Sequence, residues 1–428
     1  MAINETRQVI HRKIFLFLLY AIMFAIPIYG RLLPTLIILL TLNWLIEGAY
    51  IDTIKLMSKE RTRFLTISFA FLYLLYVAGL VHTINFQYAM EDLEIKLSLL
   101  LFPLIFATSR FPLLNKEEVG NALRAFGAGC ILSSVMMLVR AWHQTVVVTQ
   151  PDAFYYALLS WTFHPSYFSM YLNFAMSNIL YFLLVRRSVT GSRAVAGHTL
   201  ILLLFTIMIV LLSSKAGLLA WLIITGFYTT ILIIVYKRRL TGLLFGAVSV
   251  AVFLLLLQIF PHAITRVSQA RQDMTSKSSM EDPKQSTGER VAVWKAAAEI
   301  IRKNALFGVG TGDVKDALLE RYKENDLVKI LRDRLNAHNQ YLQTFITLGI
   351  TGFLALIIML VFPALKALRS KNYIYLIFLA IFAINILFES MLEVQAGVVF
   401  YALVNIVLFT SGRSDPSGNP FDIPVTHV

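Results

Sequence analysis

Residues 198–236 read HTLILLLFTIMIVLLSSKAGLLAWLIITGFYTTILIIVY and contain a single Lys, Arg, Asp or Glu side chain, Lys215. The polar turn Ser213-Ser214-Lys215 divides the stretch into two apolar runs. A helix needs about 20 residues to cross a hydrocarbon layer of about 30 Å, and each run has about that length. The runs are continuously apolar and lack the alternation of a barrel strand, so they predict two consecutive membrane-spanning helices.

Similar apolar runs occur along the whole chain. Of its 428 residues, 57% are apolar and 15% are charged, against about 45–50% and about 25% in soluble domains. We expect spans at about 14–29, 32–50, 64–81, 97–111, 119–141, 166–185, 198–214, 216–236, 240–260, 339–365, 373–388 and 395–411. The sequence therefore predicts an all-α integral membrane protein with about twelve transmembrane helices.

The positive charges indicate the orientation of these helices. The chain has 38 Lys and Arg and 25 Asp and Glu, which gives a formal net charge of +13. Connections on one side collect 19 of the Lys and Arg, whereas the short ones on the other side hold Arg31, Lys96 and Lys215, with Arg140 close by. The positive-inside rule places the side with these 19 Lys and Arg residues, and both chain termini, in the cytoplasm. Most of the excess charge therefore reports topology, and no nucleic-acid partner is expected.

One long connection divides the chain into three parts. Helices 1 to 9 occupy residues 1–260, an outer loop of 78 residues covers 261–338, and helices 10 to 12 with a cytoplasmic tail occupy 339–428. Ser286 and Glu289 have capping-box spacing before a helix-forming run to residue 303. The glycines in 308–312 predict a turn, Asp313 can cap a second helix, and a third can cover 326–335. We expect a small helical lid on the outer face.

His338 lies where the lid ends and the tenth span begins. The positive end of the helix dipole and desolvation both favour its neutral imidazole, which can accept a proton. The same helix end can also bind an anionic group such as a phosphate. On these grounds His338 is a candidate general base, and an interfacial histidine that merely caps the span is an equally good reading.

Three motifs carry a resemblance to a known family. His338-Asn339, nine residues, Gly349, two residues and Gly352 resemble the His-[Asn/Ser/Gln]-x9-Gly-x2-[Gly/Thr/Tyr] motif of the O-antigen ligase family. Arg290 followed by Trp294 is similar to the family's Arg-x3-Leu/Trp element, and residues 307–312, FGVGTG, are similar to its glycine-rich turn. With the span layout, the resemblance covers essentially the whole chain.

The resemblance implies a GT-C-like fold with a long periplasmic loop between the ninth and tenth spans, in the bacterial inner membrane. It implies transfer of a preassembled glycan from undecaprenyl diphosphate to a hydroxyl of the lipid A core, in contact with membrane lipids. The reaction needs a base and cations that hold the diphosphate, since guanidinium donates to phosphate in pairs. We expect His338 as the base, Arg290 as the first cation, and Arg266 and Arg140 as further diphosphate contacts.

One position departs from the family. Lys215 stands where the family usually has an Arg, and Lys binds phosphate as a point cation rather than bidentately. Lys215 is retained as a diphosphate contact. Four further residues are supporting candidates: Asn339, Tyr341, His164 and Glu389. His164 either caps a helix or lines the cavity in which the substrate binds. Glu389 either takes part in the site or forms a structural salt bridge.

No cofactor and no metal are expected. One cysteine and scattered histidines lack the spacing of zinc ligands, and the glycine turn does not open the helix of a βαβ unit as a dinucleotide site would. Two other acceptors stay open, since the superfamily also includes polymerases and protein O-oligosaccharyltransferases. A transporter would also suit twelve spans, but several spans lack deep charges for an ion path.

Overall fold

The computed structural model describes residues 2–57, 65–110, 114–150, 152–260 and 286–411, and every regular element in these ranges is helical. Before the lid the α-helices are α1 Ala2–Ala25, α2 Leu33–Glu47, α3 Tyr50–Met57, α4 Phe71–Ala78, α5 Phe86–Lys96, α6 Ser98–Thr108, α7 Lys116–Val146, α8 Tyr156–Leu159, α9 Pro165–Leu180, α10 Ser192–Leu212, α11 Lys215–Thr230 and α12 Arg239–Ile259.

The lid and the last part of the chain add six more. The lid contains α13 Ser286–Lys303, α14 Val314–Glu324 and α15 Val328–Arg332, and after it come α16 Gln340–Arg369, α17 Tyr373–Phe388 and α18 Gln395–Thr410. Short 3-10 turns cover Gly30–Leu32, Ser68–Ala70, Gly79–His82 and Met391–Glu393, and π-helical turns cover Tyr181–Arg186 and Ile231–Val235.

Nine helices within these described ranges are long and apolar enough to cross a membrane. Each of the twelve predicted runs contains a helix, but α6, α17 and α18 have only 11, 16 and 16 residues. The multi-pass membrane character is therefore confirmed, and the count of twelve spans stays a prediction. Large apolar side chains on the outside of the bundle support this character, since Leu240 is 72% and Leu200 67% exposed, which water would not favour.

The centre of the bundle is α9, whose residues from Pro165 to Asn178 are all buried. It packs against α10, α11 and α17. Aromatic rings from three helices meet beside it, with ring centroids of Phe126, Phe174 and Phe400 between 5.6 and 5.8 Å apart, a spacing typical of favourable aromatic pairs. This packing fixes the ends of α9, α11 and α17, which carry the residues of the site.

The lid has a small core of its own. Val293, Ala296, Ala297 and Ile300 of α13 are buried against residues of α14, α15 and the start of α16. The predicted first helix is confirmed at 286–303. Asp313 precedes α14 but makes no capping hydrogen bond, so the expectation that it caps this helix was wrong. Its carboxylate instead accepts from the backbone N–H groups of Ile84 and Asn85 before α5.

The glycine turn of the lid pairs with a break in α16. Gly349 has φ +64° and ψ −157° inside this helix, a region that only glycine adopts without strain. The N–H groups of Val309 and Gly310 donate to the carbonyls of Ile346 and Thr347 at 2.9 and 3.0 Å. A Cβ atom on Gly349 would lie 2.3 Å from the Leu306 carbonyl oxygen. This glycine of the motif therefore docks the lid.

Candidate functional site

Five segments that are far apart in the chain meet at the end of the bundle that carries the lid. They are the start of α9, the start of α11, the first turns of α13, the residues before α16 and the loop between α17 and α18, with bonds that join residues up to 223 positions apart. Each segment follows or precedes a packed helix, so the core holds its backbone in place. The polar side chains of these segments form the candidate site.

Glu389 is the centre of this site. It follows α17 directly and is only 5% exposed. Its Oε1 accepts from Nη2 of Arg290 at 2.7 Å, and its Oε2 lies 3.1 Å from Nδ1 of His338. The hydroxyl of Ser166 donates to Oε1 at 3.4 Å, and Nδ1 of His164 lies 3.8 Å from the same oxygen. One carboxylate thus joins three of the predicted site residues.

The surroundings of Glu389 keep it ionised. Burial by itself raises the pKa of a carboxyl group, because it penalises the charged form. The hydrogen bond from His338 and the positive charge of Arg290 act in the opposite direction, as does His164 when it is protonated, and the net result is a pKa of Glu389 below its usual value. At neutral pH Glu389 is therefore a hydrogen-bond acceptor only.

This charge decides which nitrogen of His338 carries the proton. Because Glu389 accepts at both oxygens, Nδ1 of His338 must be the donor, and Nε2 of the neutral ring keeps its lone pair. The side chain of His338 is 27% exposed, so a substrate can reach it. A neutral histidine held in this way has the arrangement that a general base requires.

The backbone of His338 is held in an unusual conformation. Its φ is +44°, in the left-handed region, which disfavours a residue with a side chain by about 1–2 kcal/mol. The indole N–H of Trp294 donates to the carbonyl of Ala337, and the N–H of Asn339 donates to the hydroxyl of Ser390. These bonds on either side of His338 hold its ring towards Glu389.

Arg290 and Lys215 line one cleft beside this carboxylate. The cleft is also lined by Tyr156, Ser166, Ser214 and Phe388. The side chain of Arg290 is 18% exposed, and the contact with Glu389 uses one terminal nitrogen of its guanidinium. A guanidinium has five N–H donors, so it can bind an anion in the cleft at the same time. Two cations on one cleft form a suitable site for a phosphate.

Two serine hydroxyls connect the cleft to Glu389. Ser214 caps α11, where its Oγ accepts from the N–H of Gly217 at 3.3 Å. Its hydroxyl donates to Oγ of Ser166 at 3.2 Å, and Ser166 donates in turn to Glu389. Lys215 is the first residue of α11, so its ammonium group extends from the positive end of a helix dipole. The electrostatics of this corner favour an anion.

His164 has the capping role that the sequence offered, and it lies beside the cleft without lining it. It occupies the N-cap position of α9, where Nδ1 accepts from the N–H of Ser166 at 3.4 Å, and the same nitrogen faces Glu389. Its Nε2 lies 3.4 Å from the hydroxyl of Tyr156. Tyr156 has a φ of +50°, a strained conformation of the kind found at functional sites. His164 thus contacts the cleft through Tyr156, which lines it.

The other predicted residues lie around Glu389 or outside the described residues. Asn339 caps α16 by accepting from the N–H of Leu342, and the hydroxyl of Tyr341 donates to the carbonyl of Ala383. Arg140 donates to the carbonyl of Leu158 and lies over the ring of Trp161, and it is not among the residues that line the cleft. Its role stays a prediction. Arg266 lies outside the described residues.

Sequence reasoning missed Ser166, Ser214, Tyr156 and Ser390, and ranked Glu389 too low. Ser214 stands in the quoted turn before Lys215, so its N-cap position was a usable signal, and Ser166 lies two residues after the N-cap residue His164. Tyr156 and Ser390 carry none, because nothing in their local sequence distinguishes them from other interfacial residues. In the described part of the chain, no group of three or more His, Cys, Asp or Glu has a geometry that could hold a metal ion.

Two comparisons with known proteins bear on this site. A protein of Haemophilus influenzae described as uncharacterized is 26% identical over 107 residues, which cover 25% of this chain and 27% of that protein. The match thus spans about a quarter of the relative's length. Residues 200–357 match the profile of the family described as O-Antigen ligase, and they include Lys215, Arg290, His338 and Gly349. The resemblance read from the motifs is confirmed for this stretch, since residues 200–357 match the O-Antigen ligase family model.

Proposed function

We propose that this protein is a membrane glycosyltransferase of the O-antigen ligase type. It transfers a preassembled polysaccharide from undecaprenyl diphosphate to a hydroxyl of the lipid A core, at the periplasmic face of the inner membrane. The observation that carries the proposal is the placement of two cations, Arg290 and Lys215, in one cleft beside a carboxylate that orients His338. A base and an anion site next to each other are what such a transfer requires.

The donor diphosphate binds in the cleft. Arg290 donates to it from the face of the guanidinium that Glu389 leaves available, and Lys215 adds a point charge at the start of α11. The proposal keeps Arg266 and Arg140 as further diphosphate contacts, although Arg140 is not among the residues that line the cleft. The cations stabilise the negative charge that develops on the departing diphosphate, which is usually the largest electrostatic contribution to such a reaction.

His338 activates the acceptor. Its Nε2 takes the proton of the acceptor hydroxyl while the oxygen attacks the anomeric carbon, and the bond from that carbon to the diphosphate oxygen breaks. Glu389 holds the ring through Nδ1 and stabilises the imidazolium that forms. A single displacement of this kind inverts the anomeric configuration. The donor bond stores the free energy of the reaction, so no nucleotide is needed.

Reconstitution tests the proposal. Purified protein in liposomes receives the lipid-linked polysaccharide and either lipid A core or a second lipid-linked repeat, without any ion gradient. We expect a product with lipid A core, and its loss in His338→Ala. The matched control is His143→Ala, which removes an exposed histidine from the same end of the bundle.

Each other outcome has a definite meaning. A product formed only with the second repeat would make the protein a polymerase with the same donor. No product with either acceptor, from protein that is folded and inserted, would reject the proposal. Full activity of His338→Ala would remove the base assignment while leaving the transferase.

A further inference from the structure

A second polar cluster lies next to the site, around Lys96 at the end of α5. Sequence reasoning counted Lys96 only as a charge in a short outer loop, but the side chain is fully buried, with 0% exposure. Its ammonium contacts the carboxylate of Asp92 one turn earlier and lies 3.1 Å from Oε2 of Glu393. It also lies 4.7 Å from the ring centroid of Tyr76. A lysine buried to this degree needs such partners.

The cluster holds one end of the loop whose other end carries Glu389. This loop, residues 389–394, joins α17 to α18 and contains the turn Met391–Glu393, in which Met391 and Leu392 are buried. Glu389 at its start binds Arg290 and His338, and Glu393 near its end binds Lys96. The two carboxylates are four residues apart, so the loop is fixed by an ion pair at each end.

A third contact ties the same loop to the helix that follows His338. Gln340 is fully buried, and its Nε2 donates to Oε1 of Glu393 at 3.0 Å. Its Oε1 accepts from the N–H of Leu392 at 2.7 Å. The carboxylate of Glu393 accepts from both Lys96 and Gln340. Lys96 therefore holds in place the carboxylate to which Gln340 donates. These contacts connect Lys96 to the loop that carries Glu389 and to the helix that follows His338, although Lys96 touches neither Glu389 nor His338.

We infer that Lys96 is a positioning residue of the proposed transferase, which anchors the 389–394 loop through Glu393 and so holds Glu389 against His338 and Arg290. The inference rests on the proposed function for its kinetic consequence and on the contacts alone for its structural one. Lys96 does not line the cleft. Its loss therefore lowers the rate of the chemical step and leaves donor binding nearly unchanged.

The structural consequence is tested by hydrogen exchange of the full protein in detergent. Lys96→Met keeps the length of the side chain and removes the charge. We expect the Leu392 amide to exchange about tenfold faster or more, because the loop then opens locally more often and breaks the hydrogen bond from this amide to Gln340. Lys96→Arg restores the charge and should exchange like the native protein. The control is Lys295→Met, at an exposed lysine of the lid. Native exchange in Lys96→Met would overturn the inference.

The kinetic consequence is tested in the reconstituted assay. We expect kcat of Lys96→Met to fall about 10- to 100-fold, the effect of a misplaced catalytic group, with the donor KM within about twofold. In a Glu389→Gln background the same change should lower kcat by no more than about twofold, because residues that act through one another are not additive. Fully multiplicative losses would show that Lys96 acts only on the fold and would overturn the inference.

A second variant covers the case in which Lys96→Met does not fold because it leaves two buried carboxylates without a cation. Asp92→Asn, Lys96→Met and Glu393→Gln together leave no unpaired charge. This triple variant should fold and show the same loss of kcat, and native kcat in it would overturn the inference. If the native protein transfers no glycan at all, the proposed function fails, and the exchange measurement alone then decides the anchoring.

Discussion

Replacing Glu389 by Gln tests the central carboxylate of the site with almost no change in volume. In the native protein each carboxylate oxygen accepts from a different donor, Oε1 from Arg290 and Oε2 from His338. A glutamine has one acceptor oxygen and one NH₂ group in these places. Because the bond to a charged guanidinium is the stronger one, the amide oxygen should face Arg290 and the NH₂ group should face His338.

This geometry gives the size of the expected effect. An NH₂ group beside Nδ1 of His338 requires that nitrogen to accept, so the ring proton moves to Nε2 and the base is lost. General base catalysis typically contributes about 10²–10⁴-fold. We therefore expect kcat of Glu389→Gln to fall by about 10³-fold, which corresponds to about 4 kcal/mol in the activation free energy. The donor KM should change little, because Arg290 stays in the cleft.

The assay is initial-rate transfer from the lipid-linked donor to lipid A core in liposomes, with donor binding measured separately. Glu320→Gln is the matched control, since Glu320 lies exposed on α14 of the lid. The double variant with His338→Ala should be no slower than His338→Ala alone if the carboxylate acts through the histidine. Native kcat in folded Glu389→Gln would refute the reasoning.

Three further predictions follow from single contacts. Gly349→Ala places a Cβ atom 2.3 Å from the Leu306 carbonyl oxygen at a positive φ, and it should lower the free energy of unfolding by about 3 kcal/mol or more, measured by thermal unfolding. The control is Gly127→Ala, where nothing lies within 4 Å of the new atom, and this change should be neutral or slightly stabilising. Equal melting temperatures of the two variants would contradict the prediction. Folding lowers the pKa of Glu389, so the stability that its ionised form contributes is fully present above the usual glutamate pKa of about 4.3 and is lost as the pH falls through the lowered pKa. The difference in unfolding midpoint between the native protein and Glu389→Gln should therefore shrink only in that acid range. A difference that stays constant with pH would exclude this carboxylate as its source. Lys215→Met should raise the donor KM about tenfold, because it removes a charge-assisted hydrogen bond worth roughly 1.5 kcal/mol. Lys215→Arg keeps the charge and should keep a native KM. A native donor KM in Lys215→Met would remove the residue from the diphosphate site.

The sequence by itself determined the class of protein and the position of its most informative motif. Apolar runs such as 198–236 predict helices from local composition alone, because the requirement to satisfy backbone hydrogen bonds in lipid leaves few other structures. The fixed spacing from His338 to Gly349 carried the resemblance to the O-antigen ligase family, and the lid helix from Ser286 followed from local capping and helix propensity. These features depend on neighbours a few residues away.

The tertiary structure decided which residues act together. Glu389 joins Arg290, which is 99 positions earlier in the chain, and Lys96 contacts Glu393 over 297 positions. Both contacts depend on how whole helices pack, and no local pattern encodes that. For the same reason Lys96, which the sequence places in a short loop, is buried, and Gly349 is a docking point for the lid because the turn at 305–310 folds back onto it. The sequence located the candidate base, and packing supplied the carboxylate that orients it.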